Sequence, residues 1–375
     1  MRATEERRFH VVVLPGDGVG PEVIRCAGDV LLEAARIGGV ELDMEERLLG
    51  GRATDEEGQA ISDETVERCR SSDAVLVGAA GGPQWDHLRD QRRPGAGLLR
   101  LRRELGLFAN LRPVSVHAVL ADRSSLRREV TEGVDLVFVR ELTGGLYFGD
   151  KGREGSGDGE RAHDTMRYTR GEIERIARVG FELARSRRGR LTSVDKANVL
   201  VTSRLWRDVV SEMAAGFPDV ALEHQLVDSC AMRLLRSPRD FDVVVTENTF
   251  GDILSDEAGM LVGSLGMLPS ASLGGEDGRN AGDGTLGLYE PIHGSAPDIA
   301  GRDVANPLGA ILSVALLLEH SLALLDAARA VREAVNVVIE GGTVTPDLGG
   351  EATTHEVGAA VLDVLTATAL TGAGA

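Results

Sequence analysis

Short apolar runs alternate along the chain with longer stretches whose apolar residues recur every three to four positions. The runs Val11–Leu14, Ala74–Val77, Asp135–Val139, Leu191–Val194, Val220–His224 and Phe241–Val245 are rich in β-branched residues and predict strands. Pro21 suits a first helical position, and Ile24, Ala27 and Leu31 continue one buried face behind it. Ser62 reads as an N-cap, with Asp63 and Glu64 in the first turn. Gly97–Leu105 has helical spacing. Thr169 and Glu172 form a capping box ahead of a face made by Ile173, Ile176, Ala177, Gly180, Phe181 and Ala184. Thr246–Phe250 turns the chain into a helix over Gly251–Met260, and Leu308–Val337 is mostly helical. Strands that alternate with helices throughout predict an α/β fold on a mostly parallel sheet. Asp150–Arg161 carries glycine and charge without periodicity and predicts a protruding arm, and Glu276–Gly284 reads as a variable loop.

A length of 375 residues suggests about two domains. The net charge of -18 argues against nucleic acid and anionic membrane surfaces as partners. An anionic substrate would then need a local cluster of arginines. Cys26, Cys69 and Cys230 have neither paired nor metal-type spacing, which points to a reducing, cytoplasmic compartment. Met1–His10 is charged and lacks the apolar core of a signal peptide. The apolar run near Leu308–Leu318 is broken by Glu319 and His320, too short to span a bilayer.

Candidate chemistry gathers where strands end. Asp252 and Asp256, four apart at a helix start, project from one face. Carboxylates without neighbouring His or Cys suit a hard cation, Mg²⁺ or Mn²⁺, although an acidic solvated helix start reads the same way. The glycines of Pro15-Gly16-Asp17-Gly18-Val19-Gly20-Pro21 alternate, so they do not make the G-x-G-x-x-G dinucleotide fingerprint; a tight strand-to-helix turn bordering a cleft is the simpler reading. Gly81 and Gly82, after a strand, would let a ligand approach the backbone. Leu98 and Arg102 share a helix face, Arg112 starts a strand and Arg140 ends one; three arginines near such edges suit a substrate with more than one carboxylate. Tyr147 is a candidate proton donor and Lys196, just after a strand, a candidate base. Asp228 precedes a helix. His293 to Gly301, followed by Asn306, reads as a shaped loop with backbone donors and one carboxylate, which can accept both hydroxyls of a ribose.

The motifs LPGDGVGPEV, GGPQWD, GLLRLRRELGLFANLRP, VRELTGGLYFG, SVDKANV, FGDILSD, GSLGMLPSASLG and HGSAPDIAG, spread over nearly the whole chain, resemble the β-decarboxylating dehydrogenases of malate-type acids, the isocitrate/isopropylmalate dehydrogenase family. The resemblance implies a two-domain α/β fold of its own on a mostly parallel mixed sheet, not a Rossmann fold. Residues 1–107 and 263–375 would form the large cofactor-binding domain. Residues 108–262 would form a small domain carrying a dimer interface and an arm at about 149–167. It implies NAD as oxidant and Mg²⁺ or Mn²⁺ held by Asp252 and Asp256 with Asp228 from the partner subunit of a homodimer. Lys196 would reach across the dimer as the base for the substrate hydroxyl, and Tyr147 would supply the proton after decarboxylation. Arg102, Arg112 and Arg140 would hold the carboxylates and Leu98 would touch the alkyl group. Gly81, Gly82, His293, Gly294, Ser295, Ala296, Pro297, Asp298, Ile299 and Asn306 would bind the cofactor, with Asp298 on the ribose. Glu141-Leu142-Thr143-Gly144-Gly145 matches the isopropylmalate branch, and Asp298-Ile299 matches NAD users. Members of the family usually carry a Glu before the Gly-Leu-Leu run, where this chain reads Pro94-Gly95-Ala96-Gly97. That departure leaves a paralogue for another 3-alkylmalate as the near alternative. A non-catalytic subunit is the distant one, because such subunits tend to lose the aspartates or the Lys–Tyr pair.

Overall fold

The computed structural model describes residues 7–275 and 285–372; the start of Met1–His10 and the whole of Glu276–Gly284 lie outside the described residues. Ten strands make one sheet in the order β2-β1-β3-β12-β11-β4-β5-β10-β8-β9. They are β1 (Arg8–Gly16), β2 (Glu41–Glu46), β3 (Ala74–Ala79), β4 (Ala109–Ser115), β5 (Asp135–Glu141), β8 (Arg190–Asp195), β9 (Ala221–Leu226), β10 (Val243–Thr246), β11 (Pro269–Leu273) and β12 (Gly287–Pro291). The two flanks are parallel, as the strand–helix alternation requires. The middle is antiparallel at β12–β11, β11–β4 and β4–β5.

Register in that middle decides where the chemistry sits. Residues directly opposed in an antiparallel pair point to the same face. Ser270 opposes Glu290, Ser272 opposes Asn110, Asn110 opposes Arg140 and Arg112 opposes Phe138. A row of polar side chains is thereby carried across one face of the central strands. The alternate residues Leu111 and Val139 go to the other face.

Helices α1 (Gly20–Ile37), α10 (Leu308–His320), α11 (Leu325–Glu340) and α12 (Thr354–Gly372) pack together on Val11 and Val13 of β1. Val12 and Leu14 turn the other way, into a second core closed by α3 (Asp63–Arg70) and α4 (Pro94–Glu104), with α2 (Gly51–Glu57) beside them. The single-turn α5 (Arg128–Thr131), α6 (Arg170–Ser186) and α7 (Val201–Ala214) follow; α6 and α7 cover the β5–β10–β8 flank, and α8 (Val227–Arg236) packs on α9 (Asn248–Val262).

The capping box at Thr169 is present with both of its bonds. The helix expected over Gly97–Leu105 begins three residues earlier, at Pro94, where proline needs no hydrogen-bond partner. Helix α9 starts at Asn248 rather than Gly251, because the side chain of Glu247 accepts from Phe250 N and caps it there. The stretch Leu308–Val337 is two helices, separated at Ala323, which has a φ of 53°. The arm is more ordered than its sequence suggested: Lys151–Glu154 (β6) and Arg161–Asp164 (β7) pair as an antiparallel hairpin. Its residues are almost all exposed, so neither face had to be apolar and no alternation marked the strands.

Candidate active site

Helix α9 lies over the polar face of β4 and β5 and brings Asp252 and Asp256 against it. Arg112 Nη1 donates to Ser255 Oγ at 2.7 Å and to Asp256 Oδ1 at 3.0 Å, and its Nη2 reaches Asp252 Oδ1 at 3.4 Å. Arg112 Nε donates to Asn110 Oδ1 at 2.8 Å. Arg140 Nη1 donates to Asp252 Oδ1, while its Nε and Nη2 donate to Asn248 Oδ1 at 3.0 and 2.8 Å. Tyr147 closes the short turn Gly145–Tyr147 after β5 and donates its hydroxyl to Asp252 Oδ2 at 2.6 Å. Five of the expected site residues therefore meet at one point.

The charges shape one another. Burial alone would raise the Asp252 carboxyl, but Arg140, the Tyr147 hydroxyl and Arg112 outweigh it and hold the group below the usual carboxylate range. Asp256 goes the opposite way: burial raises it, and the neighbouring Asp252 adds to that against the pull of Arg112. Burial brings the Arg140 guanidinium down to about 10, with Arg112 as a second cause, and pushes the Tyr147 phenol up to about 12. At neutral pH, Tyr147 is a hydroxyl that holds its proton and can give it.

Arg102, from α4, donates its Nη2 to Glu290 Oε1 at 2.6 Å, and both side chains are largely buried. Its Nε is buried and has no protein partner, so it retains a donor for a ligand. Leu98, half-buried one turn earlier on α4, packs on the second core. Lys196 and Asp228 form a separate pair, Nζ to Oδ1 at 2.5 Å, after β8 and in the first turn of α8. The structure does not bring this pair to Asp252. Among the described residues, no three acidic, His or Cys side chains gather as a metal cluster.

The strand ends on the β1–β3–β12 flank make a crevice out of backbone. Asp17, between two glycines with positive φ, is almost fully buried. Its Oδ2 accepts from Gly51 N and Gly81 N, each at 2.7 Å, and its Oδ1 accepts from Arg52 N at 2.9 Å. Val19 N donates to Ser295 O at 2.9 Å, locking the first turn to the loop after β12. Glu22 accepts from Gly301 N and Asp303 N at the loop's far end. Between these anchors Gly294, Pro297 and Asp298 are exposed, and a Cβ at Gly81 or Gly294 would meet nothing within 4 Å. Gly82 follows Gly81 in extended backbone, and Ala296 and Ile299 make the turn itself. His293 Nδ1 donates to Gly294 O at 2.8 Å, and burial lowers its pKa, so the ring is neutral at pH 7. The Asn306 side chain is committed elsewhere: Nδ2 donates to Asp347 Oδ2 and Oδ1 accepts from Leu308 N, each at 3.0 Å, which leaves one amide proton for a nucleotide.

The donor sets fit the expected ligands. Asp252 and Asp256 offer only oxygen, as a hard divalent cation requires. The open backbone at Gly81 and Gly294, with the exposed carboxylate of Asp298, fits a dinucleotide. Sequence reasoning missed Asp17, Asn248 and Glu290. Glu290 had a readable signal, an isolated acid in the otherwise apolar strand Gly287–Pro291.

The family model described as isocitrate/isopropylmalate dehydrogenase matches residues 10–361. The chain is 56% identical over 341 residues to the 3-isopropylmalate dehydrogenase of Moorella thermoacetica, covering 91% of this chain and 93% of that one. It is 53% identical over 361 residues to the 3-isopropylmalate dehydrogenase of Bacillus subtilis, covering 94% and 97%. Among solved structures, isocitrate dehydrogenase from Methylococcus capsulatus superposes with a TM-score of 0.83 at 34% identity, over 95% of this chain and 99% of that one. Both the sequence and the shape place the chain in the isocitrate/isopropylmalate dehydrogenase family.

Proposed function

We propose that this chain catalyses the NAD-dependent oxidative decarboxylation of (2R,3S)-3-isopropylmalate to 4-methyl-2-oxopentanoate and CO₂, a step of leucine biosynthesis. The observation that carries the proposal is the convergence of Arg112, Arg140 and Tyr147 on Asp252, in a chain more than half identical to 3-isopropylmalate dehydrogenases. When bound, NAD accepts hydride from C2 and a divalent cation at Asp252 and Asp256 polarises the C2 oxygen.

This chain's residues do the rest. Arg102, Arg112 and Arg140 hold the two carboxylates, which take over guanidinium protons now given to Glu290, Asp252 and Asp256. Leu98 faces the isopropyl group. Lys196 takes the C2 hydroxyl proton, and after CO₂ leaves, Tyr147 gives a proton to C3. Gly81, Gly82 and the loop His293–Ile299 take the cofactor backbone, Asp298 takes the ribose hydroxyls, and Asn306 closes the crevice.

The second half of the proposal is a homodimer with shared sites. Lys196 and Asp228 are paired away from Asp252, so they serve the neighbouring subunit's site. Met232 on α8 and Ile253 and Met260 on α9 are large, exposed apolar side chains, an apolar face that a second copy would cover. The exposed hairpin β6–β7 gains a covering from the same contact. We assign residues 108–262 to the inner, dimerising domain and the two flanking segments to the outer one. No helix among the described residues is long and apolar enough to cross a membrane, and all three cysteines are free and buried; we place the enzyme in the cytoplasm.

One observation favours a variant of this reading. Gly95 is exposed, with open space where a side chain would stand, and lies three residues before Leu98 on α4, so a longer alkyl group beside Leu98 would meet no side chain there. NADH formation from a panel of 3-alkylmalates with Mn²⁺ tests both. Isopropylmalate as the preferred substrate supports the main reading, a longer alkyl preference replaces it with the variant, and no turnover of any member overturns both.

A further inference from the structure

We propose that Asn248 is a positioning residue that sets Arg140 and the Tyr147 turn relative to each other. The proposal rests on the roles given above to Arg140 and Tyr147. Asn248 is the first residue of α9 and is fully buried. Its Oδ1 accepts from both Nε and Nη2 of Arg140, at 3.0 and 2.8 Å. Its Nδ2 donates to Gly144 O at 3.1 Å, one residue before the turn that carries Tyr147.

The chemistry permits only one orientation of this amide. Turned over, its NH₂ would face the N–H groups of the guanidinium and its oxygen would face a carbonyl. The backbone is equally fixed. Asn248 N donates to the Tyr168 hydroxyl at 3.0 Å, and that hydroxyl donates to Glu247 Oε2 at 3.2 Å. Gly144 N in turn donates to Glu141 Oε2 at 2.8 Å, so the far end of the bridge cannot drift.

A neutral amide suits this place better than a carboxylate. Arg140 is buried beside a second guanidinium, Arg112, and needs an acceptor for its inner edge. An aspartate there would satisfy that edge but cancel the positive charge that the diacid is to meet. An asparagine satisfies it and leaves the charge facing outward, toward Asp252. The same side chain then fixes the distance between the group that grips a carboxylate and the group that donates the final proton.

The test is a pair of double-mutant cycles by steady-state kinetics with isopropylmalate, NAD and Mn²⁺. Asn248→Ala should raise KM for isopropylmalate about tenfold and lower kcat, while KM for NAD stays within about twofold. In an Arg140→Ala background the KM effect of N248A should vanish, and in a Tyr147→Phe background the kcat effect should vanish. Should N248A not fold, Asn248→Asp carries the test: it keeps the bond to Arg140, adds an opposing charge and sets a carboxylate oxygen against Gly144 O in place of the donor, so it should raise KM for isopropylmalate and lower kcat while KM for NAD stays within about twofold. Additive effects in both cycles, or an equal rise in both KM values, would show a merely structural role and overturn the proposal. Wild-type constants in N248A, in a wild type that turns over isopropylmalate, overturn this proposal alone. A wild type that does not turn it over removes the functional reading and the proposal with it.

Discussion

The two halves of the site are built from different materials. Around Asp252 the groups aimed at the ligand are side chains, and each charge is set by an opposite charge within hydrogen-bond reach. Across the β1–β3–β12 ends the groups aimed at the ligand are backbone, and the carboxylates of Asp17 and Glu22 stand behind, holding loops in place. In the first region, removing one side chain removes the chemistry and leaves an unpaired charge behind. In the second, a substitution loosens a loop that still presents the same atoms. The diacid region should therefore fail steeply and the nucleotide region by degrees.

The steepest failures should come from Arg140→Ala and Lys196→Ala. Each should cut kcat/KM by about a thousandfold or more, since one leaves the half-buried Asp252 without its strongest partner and the other removes the base. Because the proposed site draws Arg140 from one protomer and Lys196 from the other, mixing the two impaired variants should return part of the activity through hybrid dimers. A mixture no more active than its components would refute the shared site. Next in size is Asp17→Asn, which replaces one accepting oxygen by a donor facing backbone N–H groups. It should cost about 3 kcal/mol in urea unfolding and raise KM for NAD, with KM for isopropylmalate unchanged. Equal changes in both KM values would erase the distinction between the two regions.

That contrast also explains what the sequence let one see. Arg112 and Arg140 were legible only as arginines near strand ends; Arg112 lies in the middle of β4, and register brings the two together. The shared face of Asp252 and Asp256 was legible from helical spacing, whereas their place in a site was not. Asn248, Glu290 and Asp17 were not legible, because their meaning lies in partners far along the chain: 108 residues for Arg140–Asn248, 188 for Arg102–Glu290, 64 for Asp17–Gly81. Spacing rules describe neighbours on one element and say nothing of such pairs. The hairpin β6–β7 was invisible for a related reason. Its strands carry no core face, and alternation is a record of burial.

A smaller, graded effect is expected where a nucleotide meets a free side chain. Asp298 is exposed and would accept both ribose hydroxyls while repelling a 2′-phosphate. Asp298→Lys should shift the ratio of kcat/KM for NAD over NADP by about tenfold to a hundredfold toward NADP, with kcat for isopropylmalate oxidation little changed. An unchanged ratio would mean that the ribose lies elsewhere.

The smallest effect separates the two aspartates themselves. Asp252 is held below its unfolded value, so its contribution to stability is complete above about pH 4 and is lost as pH falls through the lower folded value. Asp256 is raised by burial, so its contribution has the opposite sign: it is present at low pH and is lost as pH rises through the raised folded value. In the wild type the two partly cancel. Melting temperatures of the metal-free protein, followed from about pH 6 down to about pH 3, should resolve them. Asp252→Asn should flatten the acid loss, because the group that needs its charge is gone. Asp256→Asn should steepen it, because the group that gains on protonation is gone. Changes in slope of the same sign in the two variants, relative to the wild type, would mean that Arg112 and Arg140 favour both carboxylates alike. The cluster would then be one shared pool of charge, without the division in which Asp252 is bound tightly by the arginines and Asp256 is left more open to a cation.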